Sequence, residues 1–467
     1  MERLLEPFFR RLRNRPDDLA VASRAEATEL SFAALDARST EWMRLLGDDP
    51  RPIGVAVGNR TAFVELVLAA WRLGVPAVSM DASGSAADRR ALCRALGLAR
   101  LAESAADGSG VDLVDVDVVA RDTPPGTVLV KLTSGSTGAP LAACFDVDAL
   151  TAGIGQIGDG MEITDADRVL MALPLSHSYG FDNGVLSLLR LGTPLFLEPS
   201  IFPADVLRAL RATEATVLPL VPPLVRSLAA ASWPGATSLR RVLCAGGALP
   251  ESSARGFAAA SGLPVHNFYG STETGGICFE RRPADPGAIG SVGQPLPGVE
   301  LLLDGGGRIS VRSRANLIGR WGRPQPAAGD GRTVRTGDLG HLDDDGRLRL
   351  TDRVANLLNI GGRKIAAVQV EEALRSVDGV RDAAVVGVPD DVRGERSVAF
   401  VVADRWPIDL RPVPSRLRPR EVRRVDALPH SARGKLDRHA LRRLARPPAV
   451  EEPQTPVPAR VANFGAR

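Results

Sequence analysis

Short apolar, β-rich runs alternate with helix-spaced apolar patterns from Leu30 onward, and few architectures satisfy that alternation. The run IGVAVG is followed by the helical pattern FVELVLAAWRLG and then by VPAVSMD, the punctuation of a β-α-β unit. A strand that returns parallel to its predecessor needs a crossover, so each unit extends a parallel sheet with helices on its faces. The same punctuation recurs at VLVKLTSGS, RVLMALPLS, TPLFLEP, ATVLPLVPP and RRVLCAGGA. It predicts an α/β chain with mostly parallel sheets flanked by helices over about the first 280 residues. The spacing in FAALDARSTEWMRLLG predicts a helix ahead of these runs.

After Gly290 the helical spacing stops, and ELLLDGGGRISVRSR and HLDDDGRLRLTDR read as hairpins of a small β unit. Gly-Gly and Asp-Gly mark the corners, with Asp343, Asp344 and Asp345 as turn residues. Beyond Arg353 the pattern changes to a helix at VQVEEALRSV, strands at DAAVVGVPD and RSVAFVVA, and a stretch rich in proline and arginine. A boundary near 352 then gives a large domain over 1–352, a smaller one over 353–445, and a proline-rich, aperiodic tail over 446–467 that reads as disordered. A chain of 467 residues is long enough for that division.

Cys93, Cys144, Cys244 and Cys278 show neither CxxC nor Cys/His spacing, and the start MERLLEPFFRRLRNR carries charges where a signal peptide needs an apolar run. No apolar stretch reaches the roughly 18 residues that span a bilayer, so the expectation is a cytoplasmic chain without membrane insertion or a nucleic-acid partner. Of 58 basic residues only Lys131, Lys364 and Lys435 are lysine. Arginine cannot replace a lysine whose task needs a compact ammonium on a flexible stem, so these three invite a chemical explanation.

The segment KLTSGSTGAPL, Lys131 to Leu141, combines a strand with a loop of glycines and hydroxyls that can clasp phosphate oxygens through exposed N–H groups. It lacks the Lys-Ser or Lys-Thr after the second glycine that a P-loop requires. It is followed in order by LPLSHSYG, CAGGALP, NFYGSTETG, RTGDLG, DRVANLLNIGGRKI and PHSARGKLDR. From about Leu30 to Leu441 this series resembles the adenylate-forming superfamily of acyl- and aryl-CoA synthetases, peptide-synthetase adenylation domains and luciferases. The resemblance implies a large N-terminal domain of two sheets plus a small β-barrel, and a small, mobile α+β C-terminal domain that rotates between two half-reactions. It also implies ATP and Mg²⁺ as cofactors, a small-molecule carboxylic acid as substrate, and the thiol of coenzyme A or a carrier-protein phosphopantetheine as acceptor.

Carried over by residue, Thr133, Ser134, Gly135, Ser136, Thr137 and Gly138 would hold the β- and γ-phosphates of ATP. Gly246, Gly247 and Ala248 would line the adenine slot, with Asn267 on the adenine amino group and Tyr269, beside Gly270, stacked on the ring. Thr272 would bond the α-phosphate and Glu273 would hold Mg²⁺. Asp338 matches the ribose-binding carboxylate, whose two oxygens face two hydroxyls, and Arg353 closes the same ribose. Lys435 matches the catalytic lysine, a point charge bridging the attacking carboxylate and the α-phosphate. His177 sits at the gate of the acid pocket, and Gly362 with Lys364 belongs to the loop that shapes the thiol tunnel.

Three departures stand out. Most relatives follow the phosphate loop with Pro-Lys, whereas this chain has Pro140-Leu141, which predicts slower or weaker use of ATP. Ala355 replaces the usual hinge Asp or Lys, and Ser178 replaces the aspartate that amino-acid-activating relatives place beside the gate. An enzyme that joins an acid to AMP and then to a thiol is therefore the leading expectation. An amino-acid adenylating enzyme and a nucleotide-binding protein without turnover are the alternatives. Lys131 is expected to close a sheet end, although a strand lysine two residues before Thr133 could also face the nucleotide. The stretch from Arg405 to Arg446 carries net charge +9 and is either a docking face for an acidic acceptor or simply a solvated one.

Overall fold

The computed structural model describes residues 1–105, 108, 110–119, 121–133, 141–233, 235, 237–322, 332–353, 356–360, 363–390, 394–430 and 436–445. By compactness the chain divides into two units, one starting at Met1 and one starting at Asn356.

In the first unit, a nine-stranded, mostly parallel sheet and a seven-stranded mixed sheet pack against a common apolar core. The larger runs, from edge to edge, Gln294–Pro295, Gly275–Phe279, Val265–Ser271, Arg241–Cys244, Val217–Leu220, Val169–Met171, Leu195–Leu197, Leu19–Ser23 and Thr28–Ser31. Its inner pairs are parallel and its edge pairs antiparallel. The second runs Gly319–Arg320, Leu141–Phe145, Leu129–Thr133, Ala77–Ser79, Ile53–Ala56, Arg100–Ser104 and Val111–Asp115.

The helix Thr61–Arg72 is buried from Thr61 and Phe63 through Trp71, and apart from Thr61 and Glu65 its buried residues are apolar, as packing on every side requires. Its polar groups are satisfied internally. Trp71 Nε1 donates to the Val128 carbonyl at 2.9 Å, and the buried Glu65 accepts from Trp42 Nε1 at 2.9 Å. The predicted helix before it runs Phe32–Leu46, capped by Ser31 Oγ accepting from the Ala34 amide at 3.2 Å. The charged N-terminal stretch forms the helix Glu2–Asn14, which puts Leu4, Leu5 and Phe8 into the core. Among the described residues no helix is long and apolar enough to cross a membrane.

The hairpin segments form an antiparallel four-stranded sheet in the order Glu300–Leu303, Arg308–Arg312, Thr333–Leu342 and Leu348–Arg353. Asp343 closes its last turn, its Oδ1 accepting from the Arg347 amide at 2.9 Å.

The second unit is α+β. The long antiparallel pair Val380–Asp390 and Gly394–Ala403 is flanked by Leu357–Ile360, Arg363–Ala366 and Glu421–Arg424. The helix Ala367–Arg375 buries Val370 and Leu374 against one face, and Arg438–Ala445 buries Leu441 against the other. Glu371 is buried here and accepts from the Val385 amide at 2.8 Å and from Arg438 Nη1 at 2.6 Å.

Candidate active site

Strand ends of the first unit carry the motif residues. Leu129–Thr133 and Leu141–Phe145 are antiparallel partners in register at Thr133 and Leu141, so the glycine- and hydroxyl-rich loop joins two hydrogen-bonded strands at one sheet end. Ser134, Gly135, Ser136, Thr137 and Gly138 lie outside the described residues, as do Ala355, Gly362, Lys435 and the tail 446–467. Lys364 lies on the strand Arg363–Ala366 of the second unit, paired with Asn359.

The strand Val265–Ser271 supplies Asn267, Tyr269 and Gly270 and passes directly into a turn that presents Thr272 and Glu273. Asn267 is anchored through its amide nitrogen, which donates to the Ser291 carbonyl at 2.7 Å. One strand over, Cys244 pairs with Asn267, and the chain leaves that strand through the exposed Gly246, Gly247 and Ala248. Gly246 has φ +86°, a left-handed turn that admits glycine at little cost.

The Tyr269 ring is buried with Ile277, Ile309, Val311 and Leu348, and its hydroxyl donates to Asp338 Oδ2 at 2.7 Å. Burial, reinforced by the Asp338 charge, pushes the phenol pKa well above its ordinary value, so the hydroxyl keeps its proton and stays a donor. Asp338 and Arg353 are register partners on neighbouring strands, and Arg353 Nε donates to Asp338 Oδ1 at 2.7 Å. Tyr269, Asp338 and Arg353 thus form one chain of short hydrogen bonds, with the carboxylate buried in the middle and Arg353 largely exposed.

The turn after Ser271 is closed by Thr274, fully buried, whose Oγ1 accepts from the Ser271 amide at 3.3 Å and sits 3.0 Å from Ser271 Oγ. Leu317 N donates to the Glu273 carbonyl at 2.8 Å, and Arg320 Nη2 stands 3.8 Å from Glu273 Oε1. Sequence reasoning passed over Thr274 and Arg320, although a second hydroxyl inside S-T-E-T was the available signal for the first.

His177 follows a tightly held loop. Asn59 clamps it from both sides, Nδ2 donating to the Leu173 carbonyl and Oδ1 accepting from the Leu175 amide, each at 2.8 Å. Ser79 Oγ donates to the Ser176 carbonyl at 2.9 Å. A Cβ at Gly180 would lie 2.2 Å from the Pro174 carbonyl oxygen, so only glycine fits under this loop. His177 Nε2 is 3.6 Å from Asp81 Oδ2. The imidazole, followed by the Ser83 amide, holds the Asp81 carboxyl well below the usual carboxylate range.

A carboxylate depressed in this way stabilises the fold above its unfolded pKa, and that contribution is lost as pH falls below about 4. His177→Ala should therefore flatten the loss of melting temperature on acidification. Parallel melting-temperature profiles for variant and parent would disconnect Asp81 from His177.

Lys131 departs from the expectation of a lysine closing a sheet end. It is 2% exposed, and its Nζ lies 2.5 Å from Oδ1 of Asp182, also buried. Asp182 belongs to Phe181–Leu191, a helix of π type that continues the short turn after His177. Such wide helices recur at functional sites.

Residues 8–311 match the model of the AMP-binding enzyme family, and residues 369–435 match that of the AMP-binding enzyme C-terminal domain. This chain belongs to the AMP-binding enzyme family. It is 30% identical to feruloyl-CoA synthase of an Amycolatopsis species, over 91% of this chain and 96% of that protein. It is 31% identical to indoleacetate–CoA ligase of Aromatoleum aromaticum, over 70% of each. The crystal structure of ATP-bound MatB from Rhodopseudomonas palustris superposes with a TM-score of 0.82 at 23% identity, covering 94% of this chain and 98% of that one. This AMP-binding enzyme is an ATP-dependent acid–thiol ligase, which activates a carboxylic acid as its adenylate with release of pyrophosphate and passes the acyl group to a thiol. It uses ATP, Mg²⁺ and a thiol of the coenzyme A type.

Proposed function

We propose that this ligase is an acyl- or aryl-CoA synthetase whose nucleotide is gripped along the Tyr269–Asp338–Arg353 chain. That chain is the observation carrying the assignment. Each Asp338 oxygen already accepts one bond at 2.7 Å, and each keeps a second acceptor position, so the two together match the two ribose hydroxyls. Arg353 holds the carboxylate from the exposed side. Gly246, Gly247 and Ala248 offer exposed backbone for the adenine, and Asn267, anchored through its nitrogen, turns its amide oxygen away from Ser291, as contact with the adenine amino group requires.

We assign the loop from Thr133 to Gly138 to the β- and γ-phosphates and Thr272 to the α-phosphate. Glu273 stands as a single carboxylate beside Arg320. Mg²⁺ is commonly held by one or two carboxylates together with nucleotide oxygens, a set that Glu273 would begin. Bound there, Mg²⁺ would neutralise charge on the leaving pyrophosphate.

The substrate carboxylate enters beside His177 and attacks the α-phosphorus as the bond to pyrophosphate breaks, with Lys435 placing its charge between them. We assign Lys435 to the first step and Gly362 and Lys364 to the second. There a thiol attacks the acyl carbon, and AMP and a proton leave.

That thiol comes from outside the chain. Burial pushes the thiol pKa of Cys93 up to about 11 and of Cys144 to about 12, and those of Cys244 and Cys278 higher still. We assign coenzyme A as the acceptor, its phosphates suited to the net +9 segment from Arg405 to Arg446, and a carrier-protein phosphopantetheine presents the same chemistry. Four buried, unpaired cysteines support a reducing, cytoplasmic setting.

Asp338→Asn preserves volume and removes the charged acceptor. It should raise the KM for ATP by about 10- to 100-fold, the worth of one or two charge-assisted hydrogen bonds. An unchanged KM in a well-folded variant would take the ribose away from Asp338.

A further inference from the structure

Lys131, Asp182, Phe145, Leu186, Gly275 and Gly276 line a narrow recess with a free volume of about 10 Å³ in the first unit. That is room for about one water-sized group, which suits the tip of an acyl group, such as a single hydroxyl, rather than a whole ligand. Three of its walls lead directly into the groups assigned to the reacting centre. Lys131 precedes Thr133 by two residues, Asp182 follows His177 by five, and Gly275 follows Glu273 by two.

The recess holds a buried ion pair. Lys131 Nζ gives one bond to Asp182 Oδ1 at 2.5 Å and otherwise faces the rings of Phe145 at 4.9 Å and Phe181 at 5.8 Å from their centroids. The other carboxylate oxygen has Ser178 Oγ at 3.5 Å, too long for a strong hydrogen bond. The pair therefore keeps hydrogen-bonding capacity of both signs: N–H on the lysine, and a lone pair on Asp182 Oδ2 for a better donor. Apolar residues of similar shape would fill the same space without the desolvation cost of two charges, so packing alone does not account for it.

We propose that the Lys131–Asp182 pair is the specificity-determining element of the acid pocket and selects carboxylic acids bearing a neutral hydroxyl at the end remote from the carboxylate. A hydroxyl accepts from Lys131 and donates to Asp182 at once. A second carboxylate would face Asp182, an ammonium would face Lys131, and a methyl group would satisfy neither. The assignment rests on the reading of His177, Thr272 and Glu273 as the groups around the reacting carboxylate.

The test is acid-dependent pyrophosphate exchange by the full chain over matched sets of straight-chain, benzoic, phenylacetic and phenylpropanoic acids. Their distal group is hydroxyl, methyl, carboxylate or amine. The parent should favour hydroxyl over methyl by about 10- to 100-fold in kcat/KM, as expected of charge-assisted bonds. In Lys131→Met/Asp182→Leu, which removes both charges together, that ratio should fall to near one, with the melting temperature read alongside as the measure of folding. A parent that prefers the methyl, carboxylate or amine members overturns the proposal, as does a ratio unaltered in the folded double variant. Either result leaves acid activation standing. Exchange that no acid in the panel stimulates overturns the reading of the site, and this assignment with it.

Discussion

Lys435→Ala should slow adenylate formation by about 100- to 1000-fold, the usual loss for one preorganised charge aimed at a transition state, while ATP still binds. Two independent features of the sequence converge on this residue. It occupies the lysine of S-A-R-G-K, and it is one of three lysines in a chain whose other 55 basic residues are arginine. In-line displacement at phosphorus offers little covalent work to the protein, so a point charge between the attacking carboxylate and the α-phosphate is where rate is gained. Lys435→Arg should restore little of it, because a planar, forked cation does not occupy the position of a compact ammonium. Pyrophosphate exchange measures the first step. Transfer from a preformed acyl adenylate to coenzyme A measures the second, and it should be much less affected. Unchanged exchange in the alanine variant removes Lys435 from the mechanism.

Lys131→Met should destabilise the fold by about 3–5 kcal/mol, because it leaves Asp182 as an uncompensated charge in the core. Both side chains are at least nine-tenths buried, so little solvent can take over the role of the missing ammonium. The companion Lys131→Met/Asp182→Leu should recover most of that loss, since exchanging an entire buried pair for apolar side chains of similar shape is often neutral. Denaturant midpoints of the parent, the single and the double variant read the two effects separately. A single variant as stable as the parent would mean that Asp182 finds another partner, and the pair would lose its place in the account of the pocket.

The motifs were legible because each is local. The glycine- and hydroxyl-rich loop, the N-x-Y-G-x-T-E turn and R-T-G-D each confine their pattern to a few residues, and the strands and helices around them announce themselves by period. The helix Thr61–Arg72 and the strand Leu129–Thr133 fall where the apolar spacing places them. So does the long pair Val380–Asp390 and Gly394–Ala403. The clamp by Asn59 was not legible, since it joins residues more than a hundred positions apart through two backbone groups. Nor was Arg320 beside Glu273, on a two-residue strand at a sheet edge.

The order of motifs and the β-α-β punctuation determined the family, the architecture and the reaction, because those properties depend on residue type at short spacing. Tertiary structure alone decided what the unusual lysine at 131 does. On its strand it could have faced solvent, nucleotide or core. It faces core because the strand lies inside the second sheet, and a wide helix brings Asp182, 51 residues later in the chain, to within 2.5 Å. A charge pair of that kind exists only where two layers meet, since each ion is tolerable in the interior solely in the presence of the other.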